Sequence, residues 1–538
     1  MTKRTALISV YDKDGIADFA RELISLGFTI YASGGTATHL AQSSIEVTDI
    51  AMLIGGEAIL GHRVVTLSRE VHAGLLARDI QEDLDELVHL GIPRIDLVCV
   101  DLYPLEEEIA KEGSTLESVI EKTDIGGPTM IRSAAKGQRI VICDPKDRHK
   151  VLDWLKSPDT EHVLPGALAA KGEFKVSRYC MASAAYRSHG EYAGIFGKQT
   201  AVCKYGENAH QAPAALFSSE TEDPLALDKF ALVEGAPLSY NNYCDLDRLL
   251  QTMTHIAAAF SANMGGVDCI AIGAKHGNAC GCAVSDSEAD AIKRMMSGDP
   301  DAIFGGLIMT NFTITAENAE HLTGKMLDGV FAPAITTEAR DMLRRKGDKC
   351  RFVINPALKG IDIKSLDTSK RFRYVRGGFL QQPNYTFVPD LRREIHRSFD
   401  VKPLHEYKIY GGELTDGLIA DMLLAWAIGS TSNSNTITLV RQGMLIGNGV
   451  GQQDRVGAAK LAIERAKRSK HDVFSAVAYS DSFFPFPDGP QTLIEAGVTA
   501  ILTSSGSIKD QLTIDLCNQR GVRLCMIADK TCRGFFGH

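Results

Sequence analysis

Short apolar runs alternate with amphipathic segments along the first 150 residues of the chain. Ala6–Val10 is a compact apolar run that predicts a first strand, and Gly27 ends the helical pattern that follows it. Apolar side chains recur in that helix at i, i+3, i+4 and i+7, at Ile16, Phe19, Ala20 and Leu23. Further strands are predicted at 29–32, 97–100 and 139–143, with a helix from about residue 128. Strands that alternate with helices indicate a parallel sheet covered on both faces, so this part is predicted to be a three-layer α/β domain.

The pattern changes after the last of these strands. A polar helical stretch from about 165 to 195 leads into a loop-like passage at 196–203, and KYGENAHQ (204–211) then opens a second region. These features predict one domain over residues 1–198 and another over residues 199–538.

Two segments of the second domain share an order of elements. In the first, a strand that ends at Lys275–His276 precedes a helix that begins near Asp286. In the second, a hairpin at 436–446 lies between a helix from Thr415 and a helix over Asp454–Lys467. This repeated order predicts an internal duplication.

Composition narrows the class of protein. The 538 residues are 44% hydrophobic and 23% charged, as expected for a globular chain of several domains. A formal net charge of −9 argues against a general nucleic-acid binder, and no apolar run approaches the length of about 18 residues that a membrane span needs. Twelve scattered cysteines without a C-x-x-C motif predict reduced thiols and a cytoplasmic location. The N-terminus is expected to form a strand and not a signal peptide.

The segment GAKHGNACGCAV (273–284) is predicted to be a glycine-rich break after a buried strand, and it places a cation and an imidazole side by side. Two adjacent ionisable groups are costly to bury without a purpose, so Lys275 and His276 are candidates for a catalytic pair. The alternative is a core histidine with satisfied hydrogen bonds. The surrounding glycines are expected to bring backbone close to a ligand.

Two glycine pairs stand where a helix is predicted to begin. Ser33–Thr36 (SGGT) follows a strand, and its backbone N–H groups could bind a phosphate, although an ordinary turn would have the same sequence. Asp124–Pro128 (DIGGP) opens the helix that carries Arg132 and Lys136. Tyr103 follows the strand at 97–100, where ligands of parallel sheets usually bind.

A zinc site is not predicted. His189-Gly-Glu191 matches half of the zinc-deaminase pattern, but no Pro-Cys-x-x-Cys follows it. Cys280 and Cys282 have the wrong spacing for such a site.

A series of short motifs in a fixed order resembles the bifunctional purine biosynthesis family, in which a phosphoribosylaminoimidazolecarboxamide (AICAR) formyltransferase is fused to an IMP cyclohydrolase. The N-terminal motifs are SVYDKDGI, ASGGTA, LYP and DIGGPTMIRSAAK. The C-terminal motifs are KYGENAHQ, LSYNN, KHGNACG, FGG, SNTI, GNGVGQQDR, SDSFFPFPDG and SSGSIKD. The resemblance covers essentially the whole chain.

The resemblance implies a fold, two reactions and an assembly. The N-terminal domain is expected to be methylglyoxal-synthase-like, and the C-terminal domain to consist of two cytidine-deaminase-like subdomains without zinc. A formyl group is transferred from the cosubstrate 10-formyltetrahydrofolate to AICAR, and the product FAICAR closes to IMP. No metal, nucleic acid or membrane is expected to take part. The enzyme is expected to be a homodimer with formyltransferase sites between subunits.

For formyl transfer, the resemblance assigns His276 as general base, Lys275 as the cation for the oxyanion and Asn435 as the amide that holds the reacting groups. The positions that match AICAR-holding residues are Lys204, Tyr205, Gly305, Asp328, Arg455, Phe483 and Arg533. Those on the folate side are Asp488, Ser505 and Gly506. Lys204 departs from the usual arginine, so the charge stays but the two-pronged fork is lost.

For ring closure, the resemblance assigns Lys136 to proton transfer, Tyr103 to the oxyanion and Asp124 to orientation. The nucleotide-holding positions are Ser9, Lys13, Ser33, Gly34, Gly35, Thr36, Arg63 and Thr66. The chain departs from the family at three places, with Val65 for a lysine, Asp101 for an asparagine and Gly137–Gln138 for Asn-His. The alternative function is therefore a formyltransferase whose N-terminal domain binds nucleotide but cyclises poorly or not at all.

Overall fold

A computed structural model of the chain describes residues 4–56, 58–60, 63–158, 163–391 and 406–537. The chain forms two compact units, residues 1–196 and 197–538. Within the described residues, no helix is both long enough and apolar enough to cross a membrane.

The N-terminal unit is built on one parallel sheet. Its strands are β1 (Arg4–Ser9), β2 (Phe28–Ala32), β3 (Thr48–Asp49), β4 (Leu97–Val100) and β5 (Ile140–Ile142). They lie in the order β3–β2–β1–β4–β5, and each neighbouring pair is parallel. The helices are α1 (Ile16–Ser25), α2 (Gly34–Gln42), α3 (Ile50–Leu53), α4 (Arg69–Leu76), α5 (Gln81–Leu90), α6 (Leu105–Ala110), α7 (Leu116–Glu121), α8 (Gly126–Lys136), α9 (Arg148–Lys156) and α10 (Val163–Arg187).

Helices cover both faces of this sheet, which the side chains of β1 make clear. Ala6 and Ile8 pack in one buried cluster with α1, α2 and α9, whereas Leu7 packs in a second cluster with α4 and α8. Successive side chains of a strand point to opposite faces, so a strand that is apolar at every position must be buried on both. The predicted three-layer α/β domain is confirmed.

The C-terminal unit contains a twelve-stranded sheet and two separate hairpins. Its strands are β6 (Lys198–Cys203), β7 (Ala214–Ser218), β8 (Ala231–Glu234), β9 (Cys269–Lys275), β10 (Asn278–Ser285), β11 (Leu307–Thr310), β12 (Gly329–Ala332), β13 (Arg351–Ile354), β14 (Lys370–Val375), β15 (Gly378–Pro383), β16 (Tyr407–Tyr410), β17 (Ile437–Arg441), β18 (Met444–Gly449), β19 (Val477–Ser480), β20 (Ala500–Ser505) and β21 (Arg523–Ala528). The helices are α11 (Tyr240–Met264), α12 (Glu288–Ser297), α13 (Ala316–Glu320), α14 (Thr337–Leu343), α15 (Asp416–Ser430), α16 (Arg455–Arg468), α17 (Asp488–Glu495), α18 (Asp510–Arg520) and α19 (Asp529–Cys532).

The large sheet consists of two halves with the same connectivity. Read outward from the centre, one half runs β10–β9–β11–β12–β13–β8 and the other runs β18–β17–β19–β20–β21–β16. In each half an outer strand leads into a long helix, then a hairpin, then three parallel strands. The halves join through the antiparallel pair β10–β18. The topology confirms the predicted duplication.

The two long helices α11 and α15 share one face of the large sheet and form its main core. Trp426 of α15 is 1% exposed in this cluster, together with Met253 and Ile256 of α11. The opposite face carries α12 to α14 over the first half and α16 to α18 over the second. Because helices cover both faces of the sheet, a ligand can reach it at the ends of its strands.

Two predictions of local structure were wrong. The segment after Lys275–His276 is not a break but the strand β10, and the passage at 196–203 contains the strand β6. In β10 the glycine that looked like a breaker is needed for packing, because a Cβ on Gly281 would lie 2.1 Å from the carbonyl oxygen of Met295 in α12. The helix predicted from Asp286 begins at Glu288.

Candidate functional site

The first two parallel strands of the N-terminal unit end in a pair of hydroxyl groups. Ser9 ends β1, Ser33 follows β2, and their Oγ atoms lie 2.6 Å apart. Ser33 is the N-cap residue of α2 but makes no side-chain capping bond there. A Cβ on Gly34 or Gly35 would meet nothing within 4 Å, so the space in front of the helix N-terminus is open. An anion would find free backbone N–H groups and two hydroxyls at this point.

The side chains of Thr36 and Lys13 form hydrogen bonds with the backbone of the loop that follows β1. The Thr36 hydroxyl is 2% exposed and bonds both the N–H and the carbonyl of Val10 at 3.2 Å. The Lys13 ammonium donates to the carbonyl of Val10 and, at 3.3 Å, to that of Tyr11. Burial lowers the pKa of Lys13, and the carboxylates of Asp101 and Asp12 oppose this shift.

The unusual Asp101 has a local explanation. Its two carboxylate oxygens accept the backbone N–H groups of Tyr11 and Asp12, the latter at 3.1 Å. An asparagine offers only one acceptor oxygen, so its amide nitrogen would face one of these donors. Asp101 therefore ties the loop after β1 to the end of β4.

Tyr103 and Asp124 meet at the same edge of the sheet. Burial and the nearby carboxylate of Asp124 raise the pKa of Tyr103, which keeps its hydroxyl a proton donor. Burial also raises the pKa of Asp124, although the N–H of Gly127 donates to Asp124 Oδ1 at 3.0 Å. A Cβ on Gly127 would lie 2.3 Å from Asp124 Oδ2, so the glycine is required for this contact.

Two further side chains line the region around Tyr103. The ring of Tyr11 packs edge-on against Tyr103 with centroids 5.5 Å apart, and the Lys122 ammonium lies 5.3 Å from the Tyr11 centroid. The hydroxyl of Tyr179 on α10 accepts from the Asp124 N–H at 2.6 Å and donates to the Lys122 carbonyl at 2.9 Å. The loop before α8 is thus held by hydrogen bonds between its backbone and Tyr179 of α10.

The segment with Arg63, Val65 and Thr66 approaches the start of α8. Thr66 is 5% exposed, and a Cβ on Gly126 would lie 2.6 Å from its hydroxyl oxygen. The Arg63 guanidinium is paired with Glu121 at 2.6 Å. Val65 is half-buried and packs against the cluster that covers one face of the sheet.

Lys136 lies apart from these groups. It is the last residue of α8 and is exposed, whereas Asp124 precedes the first turn of the same helix. Eleven helical residues span about 16 Å. Gly137 is pressed against α4, where a Cβ would lie 1.9 Å from the carbonyl oxygen of Leu75, and this contact accounts for the glycine that replaces the usual asparagine.

In the C-terminal unit, His276 stands at the tip of the β9–β10 hairpin. Lys275 pairs with Asn278 across a two-residue turn, in which His276 and Gly277 have φ angles of 52° and 70°. Positive φ at both central residues is the signature of a type I′ turn, which suits the twist of a hairpin. The turn projects an exposed imidazole from a rigid sheet edge.

Packing within the fold accounts for the glycines at positions 273 and 281, on either side of this turn. A Cβ on Gly273 would lie 2.2 Å from Ile303 Cδ1, and one on Gly281 would meet α12, as described above. Both glycines permit close packing of the strand against neighbouring elements. Only Gly277 belongs to the turn itself.

Lys275 lies beside the loops that precede β11 and β12. Its ammonium donates to the carbonyl of Phe304 at 2.6 Å, and a Cβ on Gly305 would be 3.9 Å from the same nitrogen. The N–H of Asp328 donates to the carbonyl of Gly306 at 2.9 Å, and Arg345 donates to Asp328 Oδ1 at 3.0 Å. Lys275, Gly305 and Asp328 are therefore brought together.

A cavity of about 410 Å³ opens beside His276. Its lining comprises Glu207, Asn241, Cys244, Asp245, Asp247, Arg248, His276, Gly277, Asn433 and Phe536. Lys204 and Tyr205 lie just before Glu207, whose carbonyl accepts from Asn241 at 3.3 Å. Residues of KYGENAHQ and LSYNN thus converge on the histidine.

The second half of the sheet holds the other predicted positions. Asn435 is bound through its N–H and side-chain amide to the carbonyl of Gln452, at 3.1 and 2.9 Å. Arg455 begins α16 and is ion-paired with the fully buried Asp481 just after β19. It also donates to Ser480 Oγ at 3.2 Å.

Phe483, Gly506 and Arg533 form a second group at the ends of β19, β20 and β21. The Arg533 guanidinium lies 5.7 Å from the Phe483 ring centroid and is paired with Asp529 at 2.7 Å. A Cβ on Gly506 would be 3.8 Å from Phe483 Cδ1. Ser505 ends β20, and the exposed Asp488 begins α17.

Known proteins match both units. Residues 15–129 match the family model of an MGS-like domain, and residues 134–465 match the model described as AICARFT/IMPCHase bienzyme. A "Bifunctional purine biosynthesis protein PurH" of Anoxybacillus flavithermus is 37% identical, with 97% of this chain and 98% of that protein covered. Proteins of the same name from Persephonella marina and Aquifex aeolicus are 32% and 33% identical, over 97% and 96% of this chain and 98% of each relative.

The chain belongs to the AICARFT/IMPCHase bienzyme family. It is accordingly a bifunctional enzyme of purine biosynthesis, with formyltransferase and cyclohydrolase activities, and the predicted methylglyoxal-synthase-like N-terminal domain is confirmed. Among the described residues, no cluster of three or more histidine, cysteine or acidic side chains is arranged to hold a metal ion.

The formyltransferase candidates form two groups at one edge of the large sheet. Because β9 and β11 are antiparallel, the His276 turn lies at the same edge as the loops before β11 and β12. The antiparallel pairs β10–β18 and β17–β19 place the carboxyl ends of β19 and β20 at this edge too. Five strand spacings separate β9 from β20, which is about 24 Å along the sheet. Within one chain, the His276 group therefore lies far from Ser505 and Gly506.

Some residues beside the histidine were missed by the sequence interpretation. Asp245 and Arg248 both bond the backbone of Gly277, and the aromatic ring of Phe536 lies against Arg248. The only available signal was the spacing of three between Asp245 and Arg248 in a segment that Ser239 could cap as a helix. Nothing in that spacing indicates which turn the helix faces.

Proposed function

We propose that the chain carries out two consecutive reactions, formyl transfer from 10-formyltetrahydrofolate to AICAR and dehydrative closure of FAICAR to IMP. The observation that carries this proposal is the pair Lys275–His276 on a rigid hairpin tip beside a cavity, in a chain of this family. AICAR, FAICAR, IMP and the folate are the small-molecule ligands. A cytoplasmic location, independence from metal ions and the absence of nucleic-acid or membrane partners are further parts of the proposal.

In the first reaction, the 5-amino group of AICAR attacks the formyl carbon. His276 accepts the proton that the amine loses, while the Lys275 ammonium stabilises the negative charge that develops on the formyl oxygen. The oxyanion then re-forms the carbonyl, the bond from the formyl carbon to the folate nitrogen breaks, and tetrahydrofolate leaves after its nitrogen takes the proton from the His276 imidazolium. The exposed imidazole and the lysine fixed next to Gly305 support these roles.

In the second reaction, the carboxamide nitrogen of FAICAR attacks the formyl carbon and water leaves. Tyr103 donates a hydrogen bond to the oxyanion, Asp124 orients the carboxamide and Lys136 transfers a proton. The raised pKa of Tyr103 and the open N-terminus of α2 support an oxyanion donor beside a phosphate cradle. Given its distance from Asp124, Lys136 can act only on a ligand that extends along α8 or in a site shared by two copies.

The direct test is to incubate the full-length protein with AICAR and 10-formyltetrahydrofolate and to identify the product. We expect IMP, with FAICAR as a transient intermediate, and the same rate after treatment with a metal chelator. Accumulation of FAICAR without IMP would leave only the formyltransferase. Unchanged AICAR would reject the proposal.

A homodimer with shared formyltransferase sites is part of this proposal. The reason is the separation of about 24 Å between the strand that carries His276 and the strand that carries Ser505. The residues matched to the folate side therefore lie far from the histidine of the same chain. A second copy that presents its own Ser505 group to His276 would close the gap.

We expect two inactive variants to complement each other. His276→Ala and Arg533→Ala should each lose formyl transfer. In an equal mixture of refolded subunits, random pairing makes about half of the dimers mixed, each with one intact site of two, so up to about a quarter of the total wild-type activity should return. Steady-state formyl transfer and sedimentation velocity are the measurements. A monomer with full activity would contradict the shared site.

We expect ring closure to be limited by the valine at position 65. Val65 offers no hydrogen bond, and the neighbouring cation Arg63 is already paired with Glu121. Val65→Lys should accelerate closure roughly tenfold to a hundredfold, since a charge-assisted contact contributes about 1.5–3 kcal/mol. The measurement is IMP formation from supplied FAICAR.

The control for this change is Val65→Met, which keeps an apolar side chain against the same cluster without adding a charge. It should cyclise at the wild-type rate. Equal rates for Val65→Lys and Val65→Met would show that position 65 does not contact the nucleotide.

A further inference from the structure

Two side chains of α11 bond the backbone N–H and carbonyl of Gly277, the residue next to His276. Asp245 Oδ1 accepts from the Gly277 N–H at 2.6 Å, and Arg248 Nε donates to the Gly277 carbonyl at 2.9 Å. Residues three apart on a helix share a face, so one face of α11 meets both polar groups of the turn. The Arg248 stem also lies close, because a Cβ on Gly277 would be 3.2 Å from Arg248 Cγ.

Arg248 also connects this turn to the loop that leads to Asn435. Its Nη2 donates to Asn433 Oδ1 at 2.7 Å, and the Asn433 N–H donates to Asn278 Oδ1 at 3.2 Å. The guanidinium lies 3.7 Å from the centroid of the Phe536 ring. Two hydrogen bonds and one stacking contact therefore fix its position. A planar guanidinium can make these contacts together, whereas a lysine ammonium on a flexible side chain could not.

The duplicated half provides an internal comparison. The hairpin β17–β18 turns at Gln442 and Gly443, which have φ angles of 51° and 72°, nearly the values of the His276 turn. Asp421 accepts from the N–H groups of both residues at 2.7 and 2.5 Å. Asp421 is the sixth residue of α15, just as Asp245 is the sixth residue of α11.

The two halves differ at the position three residues later. In α15 this residue is Leu424, which is fully buried, and no guanidinium faces the Gln442 turn from that position. An aspartate that accepts backbone N–H groups is therefore common to both hairpins, and it stabilises the turn whether or not the turn carries a histidine. A guanidinium also bonds the Gln442 turn, but it belongs to Arg294 of α12 and donates to the Gln442 carbonyl. An arginine on the long helix itself bonds the turn only in the half whose turn carries the histidine.

We propose that Arg248 is a positioning residue for formyl transfer, which fixes the His276 turn so that the imidazole faces the reacting amine. This proposal rests on the proposed role of His276. A histidine at positive φ is strained by about 1–3 kcal/mol, so a turn without external bonds has conformations of lower strain available. A general base must stay within about 0.5 Å of its working position, and a misplacement of about 1 Å can cost a hundredfold in rate.

The test compares Arg248→Met and Arg248→Lys in the full-length enzyme. Arg248→Met should lower kcat of formyl transfer about tenfold to a hundredfold with KM changed less than about threefold, because the base is displaced while the substrates still bind. Arg248→Lys can bond only one of the two acceptors at a time and should recover part of the loss. Ring closure from supplied FAICAR should be unchanged in both variants.

Two controls separate positioning from simple stability. Arg371 lies 3.4 Å from the Phe536 centroid but makes no bond to Gly277 or Asn433 among the described contacts, so Arg371→Met should keep kcat within about threefold. Asp421→Asn weakens the matching turn and should lower Tm without lowering kcat.

The outcomes are distinct. An Arg248→Met enzyme with unchanged kcat, or with a raised KM alone, would overturn the positioning role and would make Arg248 a structural or a binding residue. The positioning role would also be overturned if Arg248→Met and Asp421→Asn lowered Tm equally and lowered kcat equally. If wild type itself transfers no formyl group, the proposed function fails, which is a different result.

Discussion

Replacing His276 with alanine should lower the rate of formyl transfer by about 10²–10⁴-fold, the usual contribution of a general base. The amine of AICAR must lose a proton as it attacks, and the cavity beside the hairpin tip offers no second imidazole among its lining residues. Ring closure should keep its wild-type rate, because Tyr103 and Asp124 belong to the other compact unit. The measurement is the rate of each step with its own substrate.

The strain of the turn requires a matched control. Alanine at positive φ is unfavourable at any such turn, so Gln442→Ala at φ 51° reproduces the backbone effect without removing the base. His276→Asn adds a residue that tolerates this conformation. Near-normal transfer by a folded His276→Asn enzyme would reject His276 as the base.

Replacing Tyr103 with phenylalanine should lower the rate of ring closure by about 10²–10³-fold, the usual effect of losing one oxyanion donor. The change removes a single hydroxyl, whose pKa is raised by burial and by Asp124, so that it is protonated at neutral pH. Formyl transfer should be unaffected. IMP formation from supplied FAICAR gives the first rate, and AICAR consumption gives the second.

Tyr11→Phe is the natural control for this change. Its ring packs against Tyr103 at 5.5 Å, so the variant retains the aromatic contact and loses only a neighbouring hydroxyl. It should cyclise within about threefold of wild type, as surface-lying hydroxyls usually contribute little. Equal losses in both variants would show that Tyr103 acts through packing and not as the oxyanion donor.

Local patterns in the sequence determined much of the N-terminal unit. The predicted strand at 97–100 is β4, and the four apolar positions of the first helix are all buried in α1. These predictions succeeded for a physical reason. A strand buried on both faces and a helix with one apolar face each produce a characteristic pattern of hydrophobic residues within a short stretch of sequence. The motif order determined the family in the same way, because it depends on sequence alone.

Local patterns failed where a residue serves a distant partner. Gly281 was interpreted as a break, although a glycine is needed there because the backbone of α12 packs against it. Gly137 is explained only by its contact with a backbone carbonyl of α4. Asp101 was unexplained because the two N–H groups that it accepts lie some 90 positions earlier in the chain. Such contacts are set by the packing of complete elements, which no window of neighbouring residues records.

The sequence by itself determined which residues are candidates for the chemistry, and the tertiary structure decided where they stand. His276 and Lys275 were evident from their adjacency, but the strained turn and its clamp by Asp245 and Arg248 exist only once α11 packs on the sheet. The strand order alone places four strands between the strand that carries the histidine and the strand that ends at Ser505, although the resemblance assigns both motifs to one reaction. Distances between chain segments arise from topology, because strand order is fixed by the burial of whole faces and not by position along the chain.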